Sequence, residues 1–171
     1  MQKKILASLV MTIVVLTGCS SPQVSNAKAQ SVAYVKPVVK TSLLDKIKAR
    51  QVKQTKKQIV KVALSGNGVS YVFRGNTPYG WDCSGFTSYV YSKFGVSLEH
   101  SANKQGHMKH TKKPAPGDVV AFSFDHGKTY YHVGIYLGNN TIINANSSYG
   151  KTMVESLDDF KGQTIVYIKV L

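Results

Sequence analysis

The sequence is short of cysteine and acidic residues, and it has no long apolar run. Its 171 residues include two cysteines and eight Asp or Glu, against 22 Lys or Arg. The most apolar segment, residues 5–16, is too short to span a bilayer. We find no internal repeat and no nucleotide-binding glycine motif. These absences leave one compact domain of about 120 residues as the expected organisation of the C-terminal part.

The N-terminus has the features of an export signal. Two lysines precede the apolar segment 5–16, and Cys19 follows in the context Leu-Thr-Gly-Cys. This pattern predicts a lipoprotein signal peptide over 1–18 and lipidation of Cys19, for example with palmitate. The alternative is a buried N-terminal helix, which the lack of a polar face disfavours. We therefore expect an exported protein that faces the cell wall. Its lipid would anchor it to the cell membrane, or to the outer membrane in a two-membrane host.

Positive charge is concentrated before the predicted domain. Residues 20–61 hold ten Lys or Arg and a single acid, Asp45, whereas 62–171 hold ten Lys or Arg against seven acids. This distribution assigns the basic charge to a flexible tether over 19–42 and the residues just after it. A nucleic-acid-binding protein would carry the charge on its folded face, so we expect no nucleic-acid partner. Beside a lipid anchor, the charge suits anionic headgroups or wall polymers; a merely solvated linker is the alternative.

The remaining sequence, 43–171, predicts an α+β domain. Helical spacing of apolar residues indicates a helix from Leu43 to Leu64. A second helix, from Asp82 to about Gly95, has an apolar stripe. The period then changes to that of strands, and a Gly-Asn-Asn turn at 138–140 indicates a hairpin. The predicted strands cover 119–124, 132–137, 141–145 and 164–170. Helices followed by hairpin-connected strands favour helices packed on an antiparallel sheet.

Three polar residues have the order of a nucleophile, a base and an orienting group. Cys83 falls in the first turn of the second helix, where the helix dipole is expected to lower its pKa. His132 begins one strand of the hairpin and Asn144 lies on the next. The turn brings them near each other, and a small register offset lets them share a face. A thiol with an adjacent base and an orienter is the arrangement of nucleophilic catalysis.

Each of these residues also has a plainer interpretation. Cys83 can be an inert core cysteine, although we expect it to fit the stripe of Phe86 and Val90 poorly. His132 alone is more typical of a satisfied strand histidine, and Asn144 alone says little. If Cys19 carries lipid, however, Cys83 is an unpaired thiol in an oxidising compartment, which favours a reactive role.

No metal or cofactor is expected. His107 and His110 are three residues apart and can share a helix face, but no cysteine or carboxylate stands in series with them. We interpret them as surface residues. Thiol chemistry itself needs neither a metal nor an organic cofactor.

Five segments together resemble the motifs of the NlpC-type cell-wall cysteine peptidases. They occur in the family's order, at 71–73, 76–78, 82–86, 116–118 and 132–138, and the resemblance runs from about residue 55 to the C-terminus. With the lipid-anchor signal, the whole chain is similar to Spr-like murein endopeptidase lipoproteins. The resemblance implies a papain-like α+β fold and hydrolysis of peptidoglycan stem peptides. The bond would be D-glutamyl–diamino acid or the cross-link amide.

The resemblance also implies residue roles. By position, Cys83 matches the nucleophile and His132 the general base. Tyr71 matches the tyrosine whose hydroxyl lies at the oxyanion site, where the backbone N–H of Cys83 would be the second donor. Asp82 and Ser84 match residues that line the substrate cleft.

Two positions depart from the family pattern. Asn144 stands where histidine is usual, but asparagine can still accept a hydrogen bond from imidazole. Arg74 stands where glycine is usual, and its side chain either contacts a stem-peptide carboxylate or points into solvent. These departures keep one alternative open, a degenerate module that binds peptidoglycan without cutting it. A surface amidase or acyltransferase on the same fold is a further alternative. In each case we expect a monomer.

Overall fold

The computed structural model describes residues 38–171, with side chains from residue 42 onward. The predicted signal peptide, Cys19 and most of the predicted tether lie outside the described residues. The first helix, α1, spans Val38–Ser65, so it begins before the predicted Leu43. The basic residues between 46 and 61 therefore belong to a helix of the domain. The helix predicted over 43–64 is confirmed, and only the assignment of the charge of residues 46–61 to the tether was wrong.

Helix α1 packs on the domain through its C-terminal half. Ile59 and Ala63 are fully buried there, whereas Leu43 and Leu44 near its start are 60% and 55% exposed. An ion pair between Lys56 and Asp118, 2.5 Å apart and nearly buried, joins the helix to the loop before the sheet. The apolar residues whose spacing predicted the helix are thus packed against the domain only in the second half of α1.

Helix α2, Cys83–Ser92, begins with Asp82 as its N-cap. The predicted stripe is buried at Phe86 and Val90. The helix ends at Ser92, before the predicted Gly95. A short hairpin, β1 (Asn76–Thr77) and β2 (Gly80–Trp81), precedes it, and a short helix, α3 (Ala102–Gly106), follows it.

A five-stranded antiparallel sheet forms the second layer, with strand order β6-β5-β4-β3-β7. Its strands are β3 (Val119–Ser123), β4 (His132–Gly138), β5 (Thr141–Asn146), β6 (Lys151–Ser156) and β7 (Thr164–Ile168). The predicted hairpin joins β4 and β5. Asn139 and Asn140 both have positive φ, 48° and 60°, as the two central residues of a type I′ hairpin turn require.

Strand β6 was not predicted. It lies at one edge of the sheet, and Thr152 is its single fully buried residue. An edge strand without an apolar face has no alternating pattern for a sequence to display. A 3₁₀ helix, Leu157–Phe160, follows it.

The two faces of the sheet carry separate apolar clusters. The larger cluster joins α1 and α2 to Val133, Ile135, Ile143 and other residues of one face. The smaller one lies on the opposite face, around Phe122 and Phe160. The predicted α+β class, helices against an antiparallel sheet, is confirmed. Within residues 38–171, no helix has both the length and the apolar character needed to cross a bilayer.

Candidate active site

Cys83 is the first residue of α2 and is 8% exposed. It precedes Phe86 by three residues and joins the same apolar cluster, so the expectation that it would fit this stripe poorly was wrong. Helix α2 packs against β4. The backbone N–H of Val133, the residue after His132, is close enough to the sulfur to act on its pKa.

The thiol is neutral in this arrangement. Burial raises the pKa of Cys83 to about 11, although the N–H of Val133 pulls it down; the charge of Asp82 raises it further. Removing the thiol from water outweighs the favourable position at a helix N-terminus. The expected lowering of the Cys83 pKa is thus not found, and ionisation of the thiol requires a base.

His132 and Asn144 are in direct contact. Nε2 of His132 lies 2.8 Å from Oδ1 of Asn144, which is completely buried. Strands β4 and β5 pair Ile135 with Ile143, and Gly134 faces Asn144 so closely that an added Cβ would lie 2.9 Å from the Cβ of Asn144. Because glycine has no Cβ, Gly134 leaves room for the side chain of Asn144 to reach His132. The pairing of β4 with β5 thus has the register offset that was expected from the turn.

The imidazole is also held neutral. Burial lowers the pKa of His132 below its ordinary value of 6.5; the hydrogen bond to Asn144 and the charges of Glu155 and Asp82 act in the opposite direction. A neutral imidazole can act as a general base, which takes the proton of a neutral thiol as the nucleophile attacks.

A carboxylate that we did not predict lies behind Asn144. Oε2 of Glu155, on β6, accepts a hydrogen bond of 2.6 Å from Nδ2 of Asn144. Asn146 donates to both carboxylate oxygens of Glu155, at 3.0 and 2.9 Å. No sequence signal indicated this partner, because its strand was itself not recognised.

Tyr71 lies near the thiol. Burial raises the pKa of its hydroxyl, and the nearby Cys83 and Asp82 raise it further. Its backbone bridges to Trp81 and donates to the carbonyl of Gly150, which ties it to both the β1–β2 hairpin and the turn before β6. This placement is compatible with the expected role of the hydroxyl at an oxyanion site.

The carboxylate of Asp82 is occupied within the protein. It accepts from the backbone N–H of Gly85 at 2.7 Å and of Arg74 at 3.1 Å, and from Oγ of Ser84 at 3.0 Å. Nε2 of His100 lies 2.9 Å from the same carboxylate. The structure thus uses Asp82 and Ser84, which were expected to line the cleft, to build the first turn of α2. His100 thus belongs to the same network as the helix cap.

Arg74 has a left-handed backbone conformation, with φ of 59°. Glycine adopts this conformation without strain, which agrees with the glycine that the family resemblance implies at this position. The guanidinium carbon lies 5.5 Å from the ring centre of Phe73, which is 75% exposed. The side chain is thus at the surface, beside an exposed aromatic ring.

A stacked pair of exposed aromatic rings lies next to His132. Phe124 and Tyr131 stack with ring centres 4.5 Å apart and planes 9° apart, although Phe124 is 71% exposed. Tyr131 also stacks on His132 and donates a hydrogen bond to Gln163. Exposed apolar surface of this kind is typical of a binding cleft.

Other possible sites do not coincide with Cys83. Among the described residues, a cavity of about 680 Å³ lies between α1 and the segment 111–118 and is lined by none of the predicted catalytic residues. Residues 38–171 contain no group of three or more His, Cys, Asp or Glu side chains placed to hold a metal. His107 and His110 follow α3 and pack edge-on against Tyr130.

A buried thiol, an imidazole and an amide are the side chains from which papain-like cysteine hydrolases build their active sites. Comparison with known sequences agrees with this class. The model of the NlpC/P60 family matches residues 68–168, and the chain belongs to this family.

Individual relatives cover only part of this chain. A probable endopeptidase p60 of Listeria welshimeri is 44% identical over 84 residues, which are 47% of this chain and 16% of the relative. The bifunctional muramidase/DL-endopeptidase CwlT of Bacillus subtilis is 38% identical over 95 residues, 53% of this chain and 29% of the relative. The chain therefore spans less than a third of the length of these two curated relatives.

One solved structure is matched over nearly its whole length. The NlpC/p60 domain of the peptidoglycan hydrolase SagA is similar with a TM-score of 0.58 and 29% identity. The match covers 67% of this chain and 98% of that domain. The likeness thus concerns the described domain.

Proposed function

We propose that the protein is a peptidoglycan hydrolase that cleaves stem-peptide amides with Cys83 as the nucleophile. The observation that carries the proposal is the 2.8 Å contact between His132 and Asn144, on two strands that pack against the helix of Cys83. Membership of the NlpC/P60 family supports the same reaction class. The inferred substrate is the peptide part of the cell wall.

The mechanism follows from the neutral resting state. Because Nε2 of His132 is engaged with Asn144, Nδ1 is the nitrogen left to accept the proton of Cys83. The sulfur then attacks the scissile carbonyl, and the backbone N–H of Cys83 and the hydroxyl of Tyr71 stabilise the oxyanion. The imidazolium next protonates the leaving amine, and water releases the acyl group from the enzyme.

The proposed bond lies between D-glutamate and the diamino acid. The support is the relative named muramidase/DL-endopeptidase. The cross-link amide is the alternative. On either substrate, the exposed rings of Phe124 and Tyr131 would contact the bound chain on one side of the thiol. Arg74 would offer its charge to a substrate carboxylate.

Mass spectrometry of defined stem peptides and cross-linked muropeptides tests this proposal. We expect product masses with the wild-type protein and none with Cys83→Ala, which removes the sulfur and adds no bulk. The mass of the product identifies the bond. Equal products from both proteins would contradict the role of Cys83.

A second candidate is a module that binds peptidoglycan without cutting it. The observation in its favour is the raised pKa of Cys83, about 11, together with asparagine at position 144. This candidate predicts affinity for muropeptides, no product and a thiol that substrate does not acylate. An amidase or acyltransferase would instead give an acyl-enzyme that an added amine resolves faster than water. Adding an amine acceptor to the same assay therefore distinguishes acyl transfer from hydrolysis.

We also propose that lipid on Cys19 holds the protein at a membrane surface, facing the wall. The support is the sequence context of Cys19 after an apolar segment. Metabolic labelling with an alkyne fatty acid should mark the wild-type protein and not Cys19→Ser, and the variant should leave the membrane fraction. Equal labelling of both proteins would exclude this site.

A further inference from the structure

The two ends of an asparagine side chain have opposite hydrogen-bonding character. The carbonyl oxygen only accepts and the amide nitrogen only donates. The end of Asn144 that faces His132 therefore decides which nitrogen of the imidazole carries its proton. If Oδ1 faces His132, Nε2 must be protonated and Nδ1 is free to act as the base; a reversed amide would make Nε2 the acceptor.

Glu155 settles this choice. An ionised carboxylate only accepts hydrogen bonds, so its 2.6 Å contact requires the nitrogen of Asn144 to point toward it. The oxygen of Asn144 then points toward His132, 2.8 Å away. A histidine at position 144 would have no such two-ended amide to orient.

Glu155 is itself held in place. Asn146 donates to both of its oxygens, and Oδ1 of Asn146 accepts from the backbone N–H of Ser148 at 2.8 Å. The orientation of the Asn146 amide is therefore fixed by the backbone, and it presents only N–H groups to the carboxylate. The chain of contacts runs from a turn of the backbone through Asn146, Glu155 and Asn144 to the imidazole of His132.

We propose that Glu155 is a positioning residue that fixes the tautomer of His132 by locking the amide of Asn144. It acts without touching the substrate. The inference rests on the proposed function insofar as the tautomer serves catalysis, but the tautomer itself is a property of the resting protein. The negative charge of Glu155 also favours the imidazolium that forms when His132 takes the proton.

Two variants separate the chemistry of this contact from its shape. Glu155→Gln keeps the size but adds an N–H donor, so the amide of Asn144 can reverse. We expect a fall in kcat of about 10- to 100-fold, the range found when the hydrogen-bond partner behind a metal-bound imidazole is removed, with little change in KM. Combining it with Asn144→Asp exchanges donor and acceptor: the new carboxylate accepts from both His132 and the new amide. This double variant, N144D/E155Q, should recover most of the lost kcat.

The decisive experiment measures the tautomer directly, by nitrogen-15 NMR of labelled histidine in the full-length chain. The wild-type protein should show His132 protonated on Nε2, Glu155→Gln a mixture or the reversed form, and N144D/E155Q the wild-type form. Glu99→Gln is the matched control, because its side chain is exposed and contacts only Lys104 at 3.4 Å. It should leave both the tautomer and kcat unchanged.

The outcomes keep this inference distinct from the proposed function. If the wild-type protein cleaves no substrate but the tautomer responds to Glu155→Gln and is restored in the double variant, the positioning role stands and the peptidase proposal fails. An unchanged Nε2 tautomer in folded Glu155→Gln would overturn the positioning role, whatever the activity. Loss of kcat that the double variant does not recover would also overturn it, because Glu155 would then act through stability or bulk alone.

Discussion

The carboxylate of Asp82 lies 2.9 Å from Nε2 of His100, while it also caps the helix that begins at Cys83. His100 lies in the segment after α2, so this contact connects the residue that precedes the helix with the segment that follows it. The same carboxylate accepts from Gly85 and Arg74. Asp82 thus holds the segment around the thiol together from inside the protein.

Replacing Asp82 by alanine should therefore destabilise the fold. The change removes a helix cap and leaves buried N–H donors without a partner, so we expect the free energy of unfolding to fall by about 2 kcal/mol. Urea unfolding followed by circular dichroism measures it. Ser101→Ala is the control, since Ser101 caps only the short helix α3; it should cost less than about 1 kcal/mol. An Asp82→Ala protein as stable as the wild type would show that the carboxylate is not needed for folding.

Arg74 allows a test of backbone strain. Its φ of 59° disfavours any side chain with a Cβ. Both Arg74→Gly and Arg74→Ala remove the guanidinium, but only glycine relieves the backbone. We expect the glycine variant to be about 1 kcal/mol more stable than the alanine variant in thermal or urea unfolding.

The same pair of variants tests substrate contact. If the guanidinium binds a stem-peptide carboxylate, both variants should raise KM by a similar factor at constant kcat. A difference in KM between them would instead assign the effect to the loop conformation. Alanine as stable as glycine would contradict the strain argument.

Much of the fold was predictable where local chemistry and tertiary structure agree. The Asn139-Asn140 turn specifies a tight hairpin, and that hairpin alone brings His132 and Asn144 together. Gly85, two residues after the thiol, permits a close backbone approach: a Cβ there would meet the carbonyl oxygen of Gly75 at 2.0 Å.

The unpredicted features depend on partners distant in sequence or on edges. Strand β6 is defined by pairing with β5 and not by its own composition, so Glu155 could not be placed near the site. The pKa of Cys83 was misjudged for a related reason. A helix N-terminus is visible in a sequence, but the burial that outweighs it is a property of the packed domain.

The thiol should react slowly with alkylating reagents at neutral pH. Because burial raises the pKa of Cys83 to about 11, the thiolate fraction increases with pH throughout the accessible range. The rate of reaction with iodoacetamide should rise about tenfold per pH unit from pH 7 to 9, without a plateau. The measurement requires Cys19→Ser, so that Cys83 is the only cysteine, and Cys83→Ser in the same background gives the blank. A plateau below pH 8 would instead indicate a preformed thiolate–imidazolium pair.

The acid limb of the activity profile should report His132. The base must be neutral to take the thiol proton, and burial lowers the pKa of His132 below 6.5. The midpoint of the acid limb of kcat/KM should therefore lie below pH 6.5. Product formation from the best muropeptide substrate, measured across pH 4.5 to 8, gives the profile. An NMR titration of the histidine resonances, assigned with His132→Gln, separates His132 from the more exposed His107. An apparent pKa above 6.5 for both readouts would mean that the charges of Glu155 and Asp82 outweigh burial, and that the site works as an ion pair.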